Sequence, residues 1–289
     1  MPNLKSIKRK ISSIKNTRQI TKAMKMVAGS KLKRNQSAMS EFKVYASAYD
    51  DVIKNISYNA VLYSHPFYGK ASGGNTGIII ISTDRGLCGS FNINLFKLFF
   101  EELKTAGIDS NQAKLYILGK KGFDFFKKRN YDVVFNRSFS ESESTINLSV
   151  LLSDGILDDF KGGKIENIYI MSNRYISTLH QKAYSEKILP FETQAAGKNK
   201  NSGGYLVEPV DYEDEIIDKI FKDYIYTKIY SRILESFAGE QASRMNAMDN
   251  ATRNAGKLIN KLTVSYNKAR QAAVTLEILD IINGMNAIK

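Results

Sequence analysis

The sequence is poor in the residues that support covalent or metal-based chemistry. Its 289 residues include one cysteine, Cys88, and two histidines, His65 and His180. A single cysteine excludes an internal disulfide and a metal site built from clustered cysteines. Two histidines leave little material for histidine-based catalysis or metal binding. No HExxH motif, Ser/His/Asp pattern or paired-carboxylate pattern stands out, so the sequence predicts no catalytic residue, no metal site and no cofactor.

Long hydrophobic runs and prolines are also scarce. The longest aliphatic run is Ile78–Ile81, whereas a membrane helix needs ~20 apolar residues, and the first residues do not resemble a signal peptide. No proline lies between Pro2 and Pro66, and none follows Pro209. Because proline interrupts helices, these two proline-free stretches are predicted to be long helices.

Acidic residues are absent from the first 40 positions, and the first one is Glu41. Residues 1–58 carry 13 Lys/Arg and 3 Asp/Glu, which is +10 of the chain's net charge of +13. A segment this basic favours a polyanionic partner, which could be nucleic acid, an anionic membrane or an acidic protein surface. The alternative interpretation is a solvated helix face.

The first helix carries apolar residues at coiled-coil spacing. We predict a seam with a phase shift after its first turns and a break in register around residues 30–35. Its predicted members are Leu4, Ile7, Ile11, Ile14, Ile20, Met24, Val27, Met39, Phe42, Ala46, Tyr49, Ile53 and Ile56. The last segment repeats the 3–4 spacing at Met245, Met248, Thr252, Ala255, Ile259, Leu262, Tyr266, Ala269, Ala273 and Leu276.

The two helices are predicted to pair antiparallel, since both leave the same middle region. Counting outward from Tyr58 and Tyr212 places residue 15 beside residue 255 and residue 1 beside residue 269. This pairing would set residues 5–34 level with four further cations and form a basic collar: Arg244, Arg253, Lys257 and Lys261. About twenty C-terminal residues would then extend beyond the first helix.

That C-terminal extension, residues 274–285, is apolar on nearly every face. Burying a large apolar side chain is worth about 1.5–3 kcal/mol, so we expect this tip to insert into a hydrophobic socket on another protein. The alternative is a tip that folds back on the chain's own middle domain.

The middle of the chain alternates strand-like and helical segments, which predicts a mostly parallel sheet. Predicted strands are 77–83, 114–118, 131–135, 167–171 and an antiparallel 181–189, with helices near 92–106, 122–129 and 145–160. Glycine-rich loops at 69–77 and 197–204 would flank it. The predicted fold is therefore a long antiparallel coiled coil plus a Rossmann-like central α/β domain, divided into 1–58, 59–211 and 212–289.

The segment 82–90 (STDRGLCGS) follows the first strand and precedes a helix. Such a position could bind phosphate at the helix N-terminus or present Cys88 as a nucleophile. The glycines lack the spacing of the known phosphate-binding loops, and Leu87 and Phe91 favour a packed cysteine. A structural turn is therefore the preferred interpretation. An enzyme using Cys88 remains an alternative.

A nucleic-acid binder is a further alternative, because a basic helix can enter the major groove of DNA. However, Ile7, Ile11 and Ile14 place the basic stretch inside the coiled coil. No aromatic residue occurs before Phe42, which weakens the prediction of single-strand stacking.

Four motifs, in order and spread over essentially the full length, resemble the ATP synthase gamma chain family. They are 20–28 (ITKAMKMVA), 84–89 (DRGLCG), 242–252 (ASRMNAMDNAT) and 266–273 (YNKARQAA). The family's C-terminal signature, [IV]-T-x-E-x-x-[DE]-x-x-x-G-A, is matched from Val274 to Gly284, and Met285 stands where the family has alanine.

This resemblance implies the central rotor shaft of the F1 part of a rotary ATP synthase, with no catalytic site of its own. Ion flow through a membrane ring would turn the shaft inside a hexamer of alpha and beta chains. Near the acidic loops of the beta chains would lie Lys22, Met24 and Lys25. Higher in the hexamer would be Arg270, Gln271, Thr275, Glu277 and the tip residues Leu276, Leu279 and Ile282.

At the opposite end, the resemblance implies that Tyr205 and Glu208 lie near the membrane c-ring and the epsilon chain. The partners would all be proteins of the complex, without nucleic acid, and contact with the membrane would be through the complex. The absence of a transit peptide and of a second cysteine favours a bacterial form, peripheral at the cytoplasmic face of the inner membrane.

Overall fold

The computed structural model describes residues 4–56, 67–68, 74–139, 144–191 and 213–288. These form two compact units. The helical unit falls within residues 1–29 and 244–289, and the sheet unit falls within residues 30–243. Most of the predicted loop at 69–77 and all of the loop at 197–204 lie outside the described residues.

Both predicted long helices are present. Helix α1 is Leu4–Ile56 and helix α5 is Glu213–Ile288. Neither contains a proline, so every turn can keep its backbone hydrogen bonds. Of the helices within the described ranges, none is both long and apolar enough to span a bilayer.

The predicted phase shift in α1 is wrong. Ile20 and Val27, which were assigned to the seam, are 61% and 57% exposed, whereas their neighbours Thr21 and Ala28 are buried. Leu32 is buried within the predicted break as well. The 3–4 spacing therefore runs through residues 30–35 without interruption. At these positions the seam of α1 carries small or polar side chains, Thr21 and Ala28. The large apolar residues Ile20 and Val27 lie one position away, so the hydrophobic pattern points to the wrong face of the helix.

The predicted pairing of the two helices is antiparallel, as observed, but its register was off by about one turn. In the helical unit, Thr252 Oγ1 donates to Thr21 Oγ1 at 2.8 Å, and Lys25 Nζ donates to Asp249 Oδ1 at 2.6 Å. The prediction placed residues 18 and 21 at those levels. Counting from the expected helix ends assumed that the two helices begin level, whereas side-chain contacts determine the register.

The sheet unit holds a five-stranded sheet in the order β3-β2-β1-β4-β5. Its strands are β1 Thr76–Ile81, β2 Ala113–Leu118, β3 Asp132–Arg137, β4 Asn167–Tyr175 and β5 Gln181–Leu189. The first four are parallel, and β5 is antiparallel to β4, as predicted. Helices α2 Phe91–Thr105, α3 Lys120–Lys127 and α4 Thr145–Lys161 connect them. The predicted fold class is confirmed.

Alternating strand residues divide the interior of the sheet unit into two cores. On one face, Ile78, Ile80 and Ile117 pack with the phenylalanines of α2 and α3. On the other, Ile79, Ile81 and Tyr116 pack with α4 and with the first turns of α5. Because successive strand residues point to opposite faces, the run Ile78–Ile81 supplies both cores and is fully buried.

Candidate partner-binding surfaces

The C-terminal end of α5 exposes an apolar surface, which we call the tip. Leu276, Leu279 and Ile282 are each 44–47% exposed. Four neighbours are exposed as well: Val274, Ile278, Ile281 and Met285. Among the described residues these side chains are therefore accessible to solvent at the end of a helix. A helical end with this composition is suited to burial in an apolar socket.

The seam of α5 ends just before the tip. Ala255 and Ile259 are buried, and Leu262, Tyr266, Ala269 and Ala273 are half-buried, as the spacing predicted. Leu276, the last predicted member, is exposed. Its position therefore belongs to the tip.

Around the tip lie the polar residues that the resemblance assigns to the hexamer. Arg270, Gln271, Thr275 and Glu277 are all exposed. Thr275 Oγ1 donates to the Gln271 carbonyl of its own helix at 3.0 Å, so this hydroxyl is partly satisfied within the chain. These four residues and the tip form one continuous stretch of α5.

The helical unit has a strongly basic surface. Exposed cations from both helices contribute to it: Lys8, Arg9, Lys10, Lys15, Arg18, Lys22, Arg253, Lys257, Lys261, Lys268 and Arg270. One predicted member of the basic collar is missing from this surface, because Arg244 is buried at 8% exposure. Arg253 Nη2 lies 3.1 Å from Asp249 Oδ2, so its charge is partly neutralised.

The three residues predicted to meet the acidic loops lie in different surroundings. Lys22 is exposed and Met24 is half-buried. Lys25 forms an ion pair with Asp249 on α5, and their side chains are 43% and 30% exposed. The hydrogen bond from Lys25 and the charge of Arg253 hold the pKa of the Asp249 carboxyl below its usual range. Lys22 is therefore the most accessible of the three.

The segment 82–90 forms a hydrogen-bonded turn in which Ser82, Thr83 and Cys88 are buried. Leu87, which was expected to pack with the cysteine, is 62% exposed. Asp84 Oδ1 accepts from the Lys120 amide at 3.0 Å, and Asn92 Nδ2 donates to Thr83 Oγ1 at 2.7 Å. Cys88 is 3% exposed, with its sulfur 3.8 Å from Asn92 Nδ2. A buried thiol beside an amide lacks the electropositive, accessible setting of a reactive cysteine.

Helix α5 packs against this turn and the start of α2. Sheets of this order bind ligands where β1 and β4 diverge, but here Ser243 Oγ donates to the Cys88 carbonyl at 2.6 Å. A Cβ at Gly239 would lie 3.1 Å from the Phe91 ring. Within the sheet unit, the glycine-rich turn therefore anchors α5. Sequence reasoning had not foreseen this role, although Gly239 and Ser243 mark the close approach by their size and spacing.

An ion-pair cluster was also missed from the sequence. Glu186 on β5 lies 3.1 Å from Lys228 Nζ and pairs with Arg232. Lys228 also bonds Asp50 of α1 at 3.1 Å, and Arg232 bonds Glu235 at 2.8 Å. Burial alone would raise the pKa of Glu186, but the charges of Arg232 and Lys228 outweigh it and lower that pKa. The cluster joins three elements of the sheet unit beside a cleft of about 430 Å³.

Tyr205 and Glu208, predicted to lie near the c-ring and the epsilon chain, fall outside the described residues. Their contacts remain predictions. The surfaces available in the described part are therefore the apolar tip, the basic surface and the exposed faces of the sheet unit.

Comparison with known proteins identifies the family. The family model described as ATP synthase matches residues 3–288. The ATP synthase gamma chain of Histophilus somni strain 129Pt is 38% identical over 291 residues and is covered completely, as is this chain. That of Geotalea uraniireducens is 35% identical over 291 residues, again with complete coverage of both.

Solved structures share the fold. A chain of the Euglena gracilis mitochondrial ATP synthase structure (OSCP/F1/c-ring) has a TM-score of 0.69 at 19% identity, covering 99% of this chain and 94% of that chain. A chain of the central stalk/c-ring structure from Tetrahymena thermophila has a TM-score of 0.60 at 24% identity, covering 80% of this chain and 99% of that chain. On the sequence matches over its full length, the chain belongs to the ATP synthase gamma chain family.

Proposed function

We propose that the chain is the central rotor shaft of F1 and transmits torque between a membrane c-ring and a catalytic hexamer of alpha and beta chains. It is a subunit of the ATP synthase complex, as its family membership indicates. The observation that carries the proposal is the tip, because its seven large apolar side chains are exposed at the end of a continuous helix. A shaft end held in a socket explains that exposure.

The tip would act as a bearing. Apolar contacts are non-directional, so a helix end coated with them can turn without breaking specific hydrogen bonds. Leu276, Leu279 and Ile282 would make the main apolar contacts with the hexamer. Arg270, Gln271, Thr275 and Glu277 would add polar contacts just below them.

The basic surface would meet acidic loops of the beta chains, with Lys22, Met24 and Lys25 nearest to them. Differential contact is what shifts a conformational equilibrium. The surface of the helical unit supplies such differences, since exposed cations and exposed Ile20, Met26 and Val27 alternate along α1. Each beta chain would therefore meet a different surface as the shaft turns.

We further propose that the chain itself catalyses nothing and binds no nucleotide or nucleic acid. The burial of Cys88 and the hydrogen bond from Ser243 to the Cys88 carbonyl support this part. Residues 1–58 and 212–289 would form the shaft and residues 59–211 the central domain. Tyr205 and Glu208 would lie near the c-ring and the epsilon chain. The complex would hold the chain peripherally at the cytoplasmic face of a bacterial inner membrane.

Co-purification tests the proposal directly. The tagged full-length chain, expressed in its own cells, is expected to bring down a nucleotide-hydrolysing hexamer, whereas the chain alone hydrolyses no ATP. Tight, steeply salt-dependent binding to DNA or RNA would instead favour the nucleic-acid alternative. Hydrolysis by the chain alone that is abolished by Cys88→Ala would favour the enzyme alternative.

The tip is tested by replacing Leu276, Leu279 and Ile282 together with aspartate. We expect assembly with the hexamer to fall strongly, because three charges would enter an apolar socket. The control makes the same change at Ile146, Val150 and Leu151 of α4, whose exposure is similar at 42–49%. Equal assembly of the two variants would contradict the socket.

The basic surface is tested with Lys22→Glu in the assembled complex. We expect a lower ratio of ATP-driven ion transport to ATP hydrolysis, because the reversed charge would repel the acidic loops. Lys97→Glu on the exposed face of α2 is the control. Unchanged coupling in both variants would mean that the basic surface contacts solvent and no acidic loop.

A further inference from the structure

The cleft beside the ion-pair cluster lies in the sheet unit, between α1, the end of β4 and α5. Its volume of about 430 Å³ falls within the range of about 300–1,000 Å³ that is usual for small-molecule sites. Three hydroxyl groups and three apolar side chains contribute to its lining: Ser47, Tyr175, Ser231, Met39, Ala46 and Ile176. A molecule in the cleft would therefore find both polar and apolar contacts.

The carboxylates that line the cleft are already paired with cations of the chain. Glu186 pairs with Lys228 and Arg232, and Glu235 lies 2.8 Å from Arg232. These four side chains are 11–21% exposed. Lys228 also bonds Asp50 at 3.1 Å. Because each carboxylate has a cation beside it, its repulsion of a bound anion is reduced.

Two further cations line the cleft and have no acidic partner among the described residues. Lys43 on α1 is exposed, and Arg174 near the end of β4 is half-buried. Lys182 stands directly across from Arg174 in the β4–β5 ladder. Like charges opposite each other destabilise a sheet. The fold therefore concentrates positive charge beside the cleft at a cost in stability, and a bound anion would relieve that repulsion.

The Arg174 guanidinium is held in place by an aromatic ring. Its Cζ lies 3.8 Å from the centroid of the Tyr184 ring, and Arg232 Cζ lies 5.1 Å from the same centroid. Stacking of this kind leaves the N–H groups at the edge of the guanidinium plane able to donate. Among the described residues, none accepts a hydrogen bond from them. Such a planar fork matches two oxygen atoms of an oxyanion.

The charges favour a ligand with more than one negative charge. Lys43, Arg174 and Lys182 supply three positive charges, whereas a single carboxylate would compensate only one of them. A phosphate group carries about 1.5–2 negative charges at pH 7. It also has enough oxygen atoms to accept from the guanidinium fork and from a lysine ammonium at the same time. The Ser231 hydroxyl lines the same cleft and adds a further donor.

We propose that this cleft is a binding site for a small phosphate-type anion, such as inorganic phosphate or pyrophosphate. Arg174 would bind two of its oxygen atoms, Lys43 would bind a third from α1, and Lys182 would add attraction from the rim. A ligand held in this way links α1 to β4 and stabilises the folded chain. The site goes beyond the proposed shaft function and does not depend on the contacts with the hexamer.

Calorimetric titration of the full-length chain with pyrophosphate tests the site. The titration is made in about 0.15 M NaCl, where exposed charges are screened beyond about 8 Å. We expect saturable binding of one anion per chain and much weaker binding of acetate. Lys43→Gln and Arg174→Gln should each weaken pyrophosphate binding by about tenfold, because each removes a charged hydrogen-bond donor. Arg174→Lys keeps the charge but loses the fork, so its effect should be intermediate.

Arg129→Gln is the matched control. Arg129 also stacks on an aromatic ring, with its Cζ 3.7 Å from the Phe125 centroid, but it lies just after α3 and does not line the cleft. The control removes the same charge from the chain and should leave the affinity unchanged. Pyrophosphate should also raise the melting temperature of Arg129→Gln as it does that of the original chain, and should raise that of Lys43→Gln less.

Three results would overturn the proposal. They are the lack of saturable pyrophosphate binding, acetate binding of equal strength, and an equal loss of affinity in Arg129→Gln and the two cleft variants. The last result would mean that the anion is attracted by the positive charge of the whole chain. If Arg174→Gln does not fold, Lys43→Gln decides, because its side chain is exposed. An unchanged affinity in Lys43→Gln contradicts the proposal.

Discussion

The two stretches of α5 differ in what surrounds them, although they belong to one helix. In the sheet unit, Ile217, Phe221, Ile225, Ile229 and Ile233 are at most 3% exposed. In the helical unit, one narrow seam is covered, and beyond Ala273 the helix exposes apolar residues on most sides. The first stretch is held by its own chain. The second leaves its apolar surface exposed, so composition alone cannot separate a buried stretch of helix from an exposed one.

The largest effect is expected where α5 is covered by its own chain. Phe221 is fully buried and packs edge-on against Phe67, with ring centroids 5.8 Å apart. Phe221→Ala should lower the free energy of unfolding by about 3–5 kcal/mol through a cavity, as measured by urea denaturation of the full-length chain. Leu279→Ala at the tip is the control, with an expected change within about 0.5 kcal/mol.

Similar losses in the two variants would remove the contrast between the stretches. They would mean that the tip is covered in the isolated chain. Loss of hexamer assembly by Leu279→Ala with unchanged stability would sharpen the contrast, because the same side chain would then matter only in the complex.

An intermediate effect is expected at the ion-pair cluster that joins the buried stretch of α5 to β5. Glu186→Gln leaves Lys228 and Arg232 with fewer partners and should cost about 1–3 kcal/mol at neutral pH. Glu101→Gln, on the exposed face of α2, should change little. Urea denaturation of the three proteins measures both differences.

The same variant has a defined pH dependence. Arg232 and Lys228 lower the pKa of Glu186 in the folded chain, whereas an unfolded glutamate titrates near 4.3. The stabilisation is therefore complete above that value and is lost as the pH falls through the lower, folded pKa. The difference in unfolding free energy between the original chain and Glu186→Gln should shrink on acidification, and a difference that grows would contradict this assignment.

The sequence predicts the elements well and their contacts less well. Missing prolines and the 3–4 spacing define α1 and α5, and the alternation of strands and helices defines the sheet. The register of the helices could not be predicted, since apolar spacing repeats every heptad and accepts several alignments. The cluster of Asp50, Glu186 and Lys228 could not be predicted either, because its members are more than 40 residues apart and only the fold brings them together.

Some features of the candidate surfaces could be predicted from the sequence, and others could not. The tip is visible in the sequence because seven apolar residues occur in twelve positions without a partner segment. The basic surface is predicted by the positive charge of the sequence. The charge count, however, includes Arg244, which is buried, and Lys25, which forms an ion pair with Asp249. Tyr205 and Glu208 rest on the resemblance to the gamma chain family.

The smallest effect is expected at Ile20 and Val27, where pattern and structure disagree. Both side chains are more than half exposed, so Ile20→Ala and Val27→Ala should each change the unfolding free energy by no more than about 0.5 kcal/mol. The contrast is the adjacent seam residue Ala28, which is 1% exposed. Ala28→Leu inserts three carbons into a packed seam and should cost about 1–3 kcal/mol.

If Val27→Ala instead destabilises the chain while Ala28→Leu does not, the seam follows the hydrophobic pattern and the continuous heptad described for α1 is wrong. If both expectations hold, the exposed isoleucine and valine are surface of the helical unit, and any loss of coupling in the assembled complex on replacing them reports contact with a partner rather than a weakened shaft.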